Sequence, residues 1–107
     1  MVNMITYLNS LNYNKEVTLN KKRVILLFTA SWCLACDEIL PKYEQWAKRY
    51  SNKLEFKIVD MHKNKRIVKK YDVASSLTFL IIENKTVINR FAGMQTDETF
   101  DYFINRK

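Results

Sequence analysis

The sequence is short of the residues that break or staple a chain: one glycine, one proline, one histidine and two cysteines in 107 positions. With so little glycine and proline there are no flexible or proline-rich linkers, no repeats and no low-complexity stretch, so one domain over residues 1–107 is expected. Two cysteines cannot build a multi-bridge secreted scaffold, and a chain this long folds without one. No apolar run approaches the roughly 20 residues of a membrane span. The N-terminal stretch mixes Asn, Thr, Tyr and Lys with isolated aliphatics and forms no signal-peptide core. A cytoplasmic location without membrane contact is expected, and a cysteine pair in that reducing setting is more often catalytic than structural.

What is present excludes disorder, since 48% of the residues are apolar and 13% aromatic. Eighteen basic against eleven acidic residues leave a formal charge of +7. Lys63, Lys65, Arg66, Lys69 and Lys70 form one dense basic run with no acid inside it. Its plain reading is a solvated helix face; its sharper reading is contact with acidic proteins or nucleic acid. No nucleic-acid motif accompanies it, so nucleic acid is not an expected partner.

Along the chain, Met4, Ile5, Leu8 and Leu11 recur at helical spacing with Asn3 as a cap, which predicts a short amphipathic helix over residues 3–12. Residues 13–22 read as a loop or an edge strand. Val24 to Phe28 is an unbroken apolar run, a strand buried on both faces. Ile39, Leu40, Tyr43, Trp46, Ala47 and Tyr50 then mark a helix from Cys33 or Leu34 to about Tyr50, with Pro41 expected to kink it. Residues 54–60 read as a second strand and the basic run as a short helix with Ile67, Val68 and Tyr71 inward. Residues 77–83 and 86–92 form a hairpin around Asn84-Lys85, ended by Gly93. Thr96 and Thr99, then Asp97 and Glu98, begin a final amphipathic helix carrying Phe100, Phe103 and Ile104. Strand-helix-strand units imply parallel pairing, and the hairpin adds antiparallel edges. An α/β sandwich follows, with a mixed sheet between helices.

Cys33 and Cys36 stand where the first strand passes into its helix. Two cysteines placed at random in this length would fall three apart only about 2% of the time. A helix N-terminus favours a thiolate, which makes Cys33 the natural nucleophile and Cys36, one turn in, the resolving thiol. A structural disulfide over so short a loop would stabilise little. A zinc or iron-sulfur site would need two chains or external thiols, because the chain offers only two cysteines and one histidine, His62.

These residues carry a resemblance to the thioredoxin fold that covers the chain from about Val24 to Ile104. Phe28, Ala30, Trp32, Cys33, Cys36 and Pro41 match the family's active-site strand, turn and helix; Asp60, Tyr71, Val73 and Gly93 match positions around it. The resemblance implies a three-layer sandwich and a thiol-disulfide oxidoreductase that reduces protein disulfides through Cys33 and Cys36. It further implies no cofactor beyond that redox-active pair, a monomer, and recycling by a thioredoxin reductase. Trp32, Leu77, Thr78 and Gly93 would border the substrate. Three positions depart from the family pattern. Leu34-Ala35 replaces the usual Gly-Pro, which tunes redox potential; Leu27 replaces the buried acid that serves the resolving cysteine; and Leu77 replaces the cis-proline, so a trans bond and a reshaped groove are expected. A changed groove could also favour metal capture. The competing reading is an adaptor module of the same fold, binding without turnover or holding a metal between two chains. His62 reads as a solvated loop residue and Trp46 as core.

Overall fold

Strand β2 (Val24–Thr29) occupies the middle of the sheet because it is apolar on both sides. Val24, Leu26 and Phe28 enter one cluster, Ile25 and Leu27 the other, and water reaches none of them. The computed structural model describes residues 4–105. Around β2 the order is β1 (Ile5–Tyr7), β3 (Glu55–Asp60), β2, β4 (Thr78–Glu83), β5 (Thr86–Ala92). β1 and β2 both run parallel to β3, while β4 lies antiparallel to β2 and β5 to β4.

Helix α1 (Leu34–Arg49) connects β2 to β3, α2 (Lys65–Lys70) connects β3 to β4, and α3 (Asp97–Asn105) follows β5. α1 and α3 cover one face through Ile39, Tyr43, Trp46, Phe100 and Ile104. A π-helical turn (Asn14–Thr18) and α2 cover the other through Val17 and Ile67. This is the mixed-sheet, three-layer α/β sandwich that the pattern of elements implies.

α1 is held hard against the sheet. The Trp46 ring stacks on Phe100 with centroids 4.0 Å apart, and its Nε1 donates to Asp97 Oδ1 at 2.7 Å. The buried Tyr43 hydroxyl donates to the carbonyls of Lys57 and Ile25, at 2.8 and 3.2 Å. Truncating such a buried aromatic costs about 3–5 kcal/mol. The helix continues through Pro41, whose missing N–H leaves the Asp37 carbonyl without its helical donor. α3 begins at a reciprocal cap: the Thr99 N–H donates to Thr96 Oγ1 at 3.1 Å, and the Thr96 N–H to Thr99 Oγ1 at 2.9 Å. In the hairpin turn Asn84 (φ 52°) and Lys85 (φ 67°) are both left-handed, matching the twist of the flanking strands.

The expected helix over residues 3–12 is instead strand β1 followed by a turn, with Asn3 outside the described residues. Ile5 and Leu8 bury into opposite clusters, and Leu11 is 93% exposed, so no helical stripe exists. The reason is local. Asn9 Oδ1 accepts the N–H groups of Leu11 and Asn12, and Asn12 Nδ2 donates to the Tyr7 carbonyl, closing a turn that competes with a helix. The freed strand then pairs with β3, extended by Leu8 N–H to the Ile58 carbonyl at 2.9 Å. The stretch read as a loop or an edge strand contains the π turn, closed by Leu19 N–H to the Asn14 carbonyl at 2.7 Å.

Candidate active site

β2 ends at Thr29, and Ala30 to Trp32 turn the chain into α1. Cys33 is the helix N-cap, with extended backbone (φ −95°, ψ 103°). Its Sγ accepts the Cys36 N–H at 3.1 Å, its own N–H donates to the Ala30 carbonyl at 3.2 Å, and its Cα lies 5.3 Å from that of Cys36. The two sulfurs are joined in a disulfide. When that bond opens, the unpaired N–H groups and dipole of the helix start favour negative charge on the Cys33 sulfur. Cys33 is half-buried, whereas Cys36 is 3% exposed.

Between them Leu34 stands out in solvent at 82% exposure, and Ala35 is half-buried. Beneath, Leu27 shares the buried cluster of Cys36. Tyr43 and Tyr50 are the other titratable members of that cluster among the described residues. Burial holds the Tyr43 hydroxyl well above its ordinary range while it donates to two carbonyls, and the Tyr50 hydroxyl donates to Asp101 at 2.8 Å. Among the described residues no carboxylate is buried.

Trp32 is exposed, and its ring meets that of His62 edge-on with centroids 4.0 Å apart. His62 is solvated, as its loop position suggests, but it forms a wall of the site, which the sequence reading missed. The available signal was Asp60 two residues earlier, a turn-former at the end of a strand. Its Oδ1 accepts the N–H of His62 at 2.9 Å and of Lys63 at 3.3 Å, and Asn64 Nδ2 donates to its carbonyl. This folds the β3–α2 connection toward Trp32, while Met61 N–H closes onto the Thr29 carbonyl at 2.8 Å.

On the other side, Leu77 is buried in the Cys36 cluster, and its carbonyl accepts the Gly93 N–H at 3.0 Å. No cis peptide occurs among the described residues, so the Ser76–Leu77 bond is trans. Thr78 is also buried, with Oγ1 donating to the Ser75 carbonyl at 2.6 Å. Gly93 is exposed with φ +90°, and an added Cβ would meet nothing within 4 Å; glycine is needed there for backbone conformation rather than space. A second residue the sequence reading passed over, Gln95, is buried and donates to the carbonyls of Ala92 and Gly93 at 3.2 and 3.1 Å. It fixes the loop that Leu77 touches. Among the described residues no three His, Cys, Asp or Glu side chains converge.

A thioredoxin family model matches residues 4–106. Thioredoxin H5 of Arabidopsis thaliana is 32% identical over 84 residues, 78% of this chain and 70% of that protein. A thioredoxin H-type of Oryza sativa subsp. indica is 35% identical over 77 residues, 72% of this chain but 62% of its own length. The thioredoxin of Buchnera aphidicola subsp. Baizongia pistaciae is 27% identical over 105 residues, 98% of this chain and 96% of its own. With the family match running through every strand of the sheet, and a disulfide at a turn where a helix start can stabilise its thiolate, the chain belongs to the thioredoxin family and is a thiol-disulfide oxidoreductase.

Proposed function

We propose that this enzyme reduces disulfides in other proteins within a reducing compartment, the cytoplasm, contributing to redox homeostasis as a monomeric electron carrier that needs no cofactor beyond its own cysteine pair. The observation that carries this reading is the asymmetry of that pair: a half-buried Cys33 at a helix N-cap over a buried Cys36. The Cys33 thiolate attacks one sulfur of the substrate disulfide, a mixed disulfide forms, and one substrate thiolate leaves. Cys36, deprotonated, then attacks the Cys33 sulfur. The second substrate thiol is released and the Cys33–Cys36 disulfide forms, two electrons having passed to the substrate. A thioredoxin reductase is the proposed donor that returns the pair to dithiol.

Trp32 and Gly93 offer exposed surface to the incoming strand, while Leu77 and Thr78 shape the floor from below. Leu34 and Ala35 set the geometry of the helix start and so the potential, which we expect to be that of a reductase. Asp37 and Glu38 in the next turn oppose the thiolate that the dipole favours, with both effects on the order of 0.3–1 kcal/mol. Insulin reduction by dithiothreitol tests the reading. Activity is expected to vanish in both Cys33→Ser and Cys36→Ser, with a trapped mixed disulfide in the second alone; equal activity in all three proteins would sink it.

A further inference from the structure

The basic run begins beside a wall of the disulfide site and leads away from it, Lys70 lying near Thr18 and Lys85. Lys63 follows His62, the residue packed on Trp32, and Lys65 to Lys70 form α2. Lys63, Lys65, Arg66, Lys69 and Lys70 are all exposed, and among the described residues none of them makes an ion pair. Four other cations find acids, with Lys22 and Lys57 meeting Glu55, Arg23 meeting Glu83 and Arg49 meeting Asp97, while Lys15, Lys21, Lys42, Lys48 and Lys85 also stand without an ion pair among the described residues; what sets the run apart is its density. Of the acids nearest in sequence, Asp60 has its carboxylate engaged by the N–H groups of His62 and Lys63, and the exposed Asp72, two residues after Lys70, makes no ion pair among the described residues. Asp37 lies in the first turn of α1 and Glu38 follows it, on the opposite face of the sheet from α2. The disulfide therefore sits between a cationic flank and an anionic one. Lys63 adjoins the residue packed on Trp32, and α2 extends roughly 9 Å from there, about one Debye length at physiological salt, so a partner engaged at Cys33 feels the near end of the run least screened.

We propose that α2 and the turn before it are a docking surface for an acidic segment next to the disulfide of a protein substrate. α2 draws that segment to the His62 side while the α1 carboxylates repel it from the other, so the surface fixes orientation as well as encounter rate. The proposal rests on the reductase reading and adds its substrate class.

The test uses reduced, desalted protein mixed with three synthetic peptides, each holding one intramolecular disulfide flanked by acidic, uncharged or basic residues. Trp32 fluorescence follows the single turnover. The acidic peptide is expected to react roughly tenfold faster than the basic one at low ionic strength. The gap should close at about 0.5 M NaCl, where screening falls to a few ångströms. Arg66→Glu should reduce the acidic-to-uncharged rate ratio several-fold. Lys48→Glu, the same charge change at an exposed site in the last turn of α1, should leave that ratio alone; matching circular dichroism certifies both folds. Reaction with the uncharged peptide but no charge preference overturns the docking surface alone. An equal fall of the ratio in both variants also overturns it, since net charge then suffices. No reaction with any peptide overturns the reductase reading and this proposal together. A single-stranded DNA oligonucleotide that binds at physiological salt more tightly than the acidic peptide, and loses that binding in Arg66→Glu, would assign the face to nucleic acid instead and overturn it.

Discussion

The two faces of the sheet are built from different materials. Under α1 and α3 the filling is aromatic and dry: Phe79 stacks on Phe91, Phe91 on Phe103 and Trp46 on Phe100, with Cys36 and Leu27 in the same cluster. Under α2 and the π turn it is aliphatic with polar insertions. Lys57, 4% exposed, lies 3.2 Å from Glu55 and 3.6 Å from Glu16, and the hydroxyls of Tyr13 and Tyr71 are bonded to each other. The contrast follows the division of labour. Thiol exchange needs the resolving sulfur held out of water at a fixed separation from an accessible nucleophile, which a packed aromatic layer supplies. Recognition needs only charge presented near them, which a six-residue helix over a thinner cover can do.

The largest effect should come from putting polarity into the dry face. Leu27→Asp removes a fully buried aliphatic side chain and substitutes a carboxyl with no partner in the Cys36 cluster. A stability loss of about 4 kcal/mol or more is expected from the lost packing and the buried polar group together. The folded fraction should nonetheless resolve a mixed disulfide faster at neutral pH, because a base then lies in the cluster of the buried thiol. Urea denaturation and single-turnover kinetics check the two parts. A variant as stable as the parent would show that the aromatic face is looser than its burial implies.

Much of this division was legible in the residues, and where it was not the cause is physical. The two-sided burial of β2 shows in its unbroken apolar run, and the helix following Cys33 shows in its 3.6-residue period. β1 was hidden because Met4, Ile5, Leu8 and Leu11 satisfy a helical period, while Asn9 and Asn12 decide for a turn through side-chain bonds that periodicity does not register. The π turn likewise has no sequence period of its own. At the site, Cys33 and Cys36 announce themselves by spacing. His62 and Gln95 do not, since the local turns that place them are set against the site by Met61 N–H to the Thr29 carbonyl and Gly93 N–H to the Leu77 carbonyl, contacts distant in sequence, and the burial of a polar Gln95 runs against composition.

Alkali should load both faces, unequally. Burial raises the Tyr43 hydroxyl well above its ordinary value and is also the main cause for Tyr13, helped by its bond to Tyr71; burial raises Tyr71 as well. A folded pKa above the unfolded one means stability is whole below the unfolded value near 10 and falls as pH rises past it. Tyr43 is fully buried whereas Tyr13 is only part-buried, so the loss through Tyr43 is expected to be the larger. Urea midpoints followed through the alkaline range should therefore flatten more in Tyr43→Phe than in Tyr13→Phe. The reverse order would place the drier environment under α2.

The smallest effect should be at Lys57, the most buried charge of the polar face. Its ammonium is out of water but shares only two carboxylates, and the Glu16 and Glu55 side chains remain 22% and 32% exposed. Glu55 has other partners as well. Burial works to raise its pKa, yet the hydrogen bond from Asn20 at 2.8 Å and the Lys57 and Lys22 charges outweigh burial and hold it below the ordinary carboxylate value. Lys57→Met would thus leave two acids that water and Asn20 can still satisfy, while an apolar side chain of similar length fills the space. Replacing a buried ion pair by a hydrophobe is often close to neutral, so a change within about 1 kcal/mol of the parent is expected. Lys57 faces the layer opposite Cys36, so mixed-disulfide resolution should not move. A loss of about 3 kcal/mol or more would mean that the carboxylates depend on the ammonium for their solvation, and that the face under α2 is held as tightly as the one that carries the cysteines.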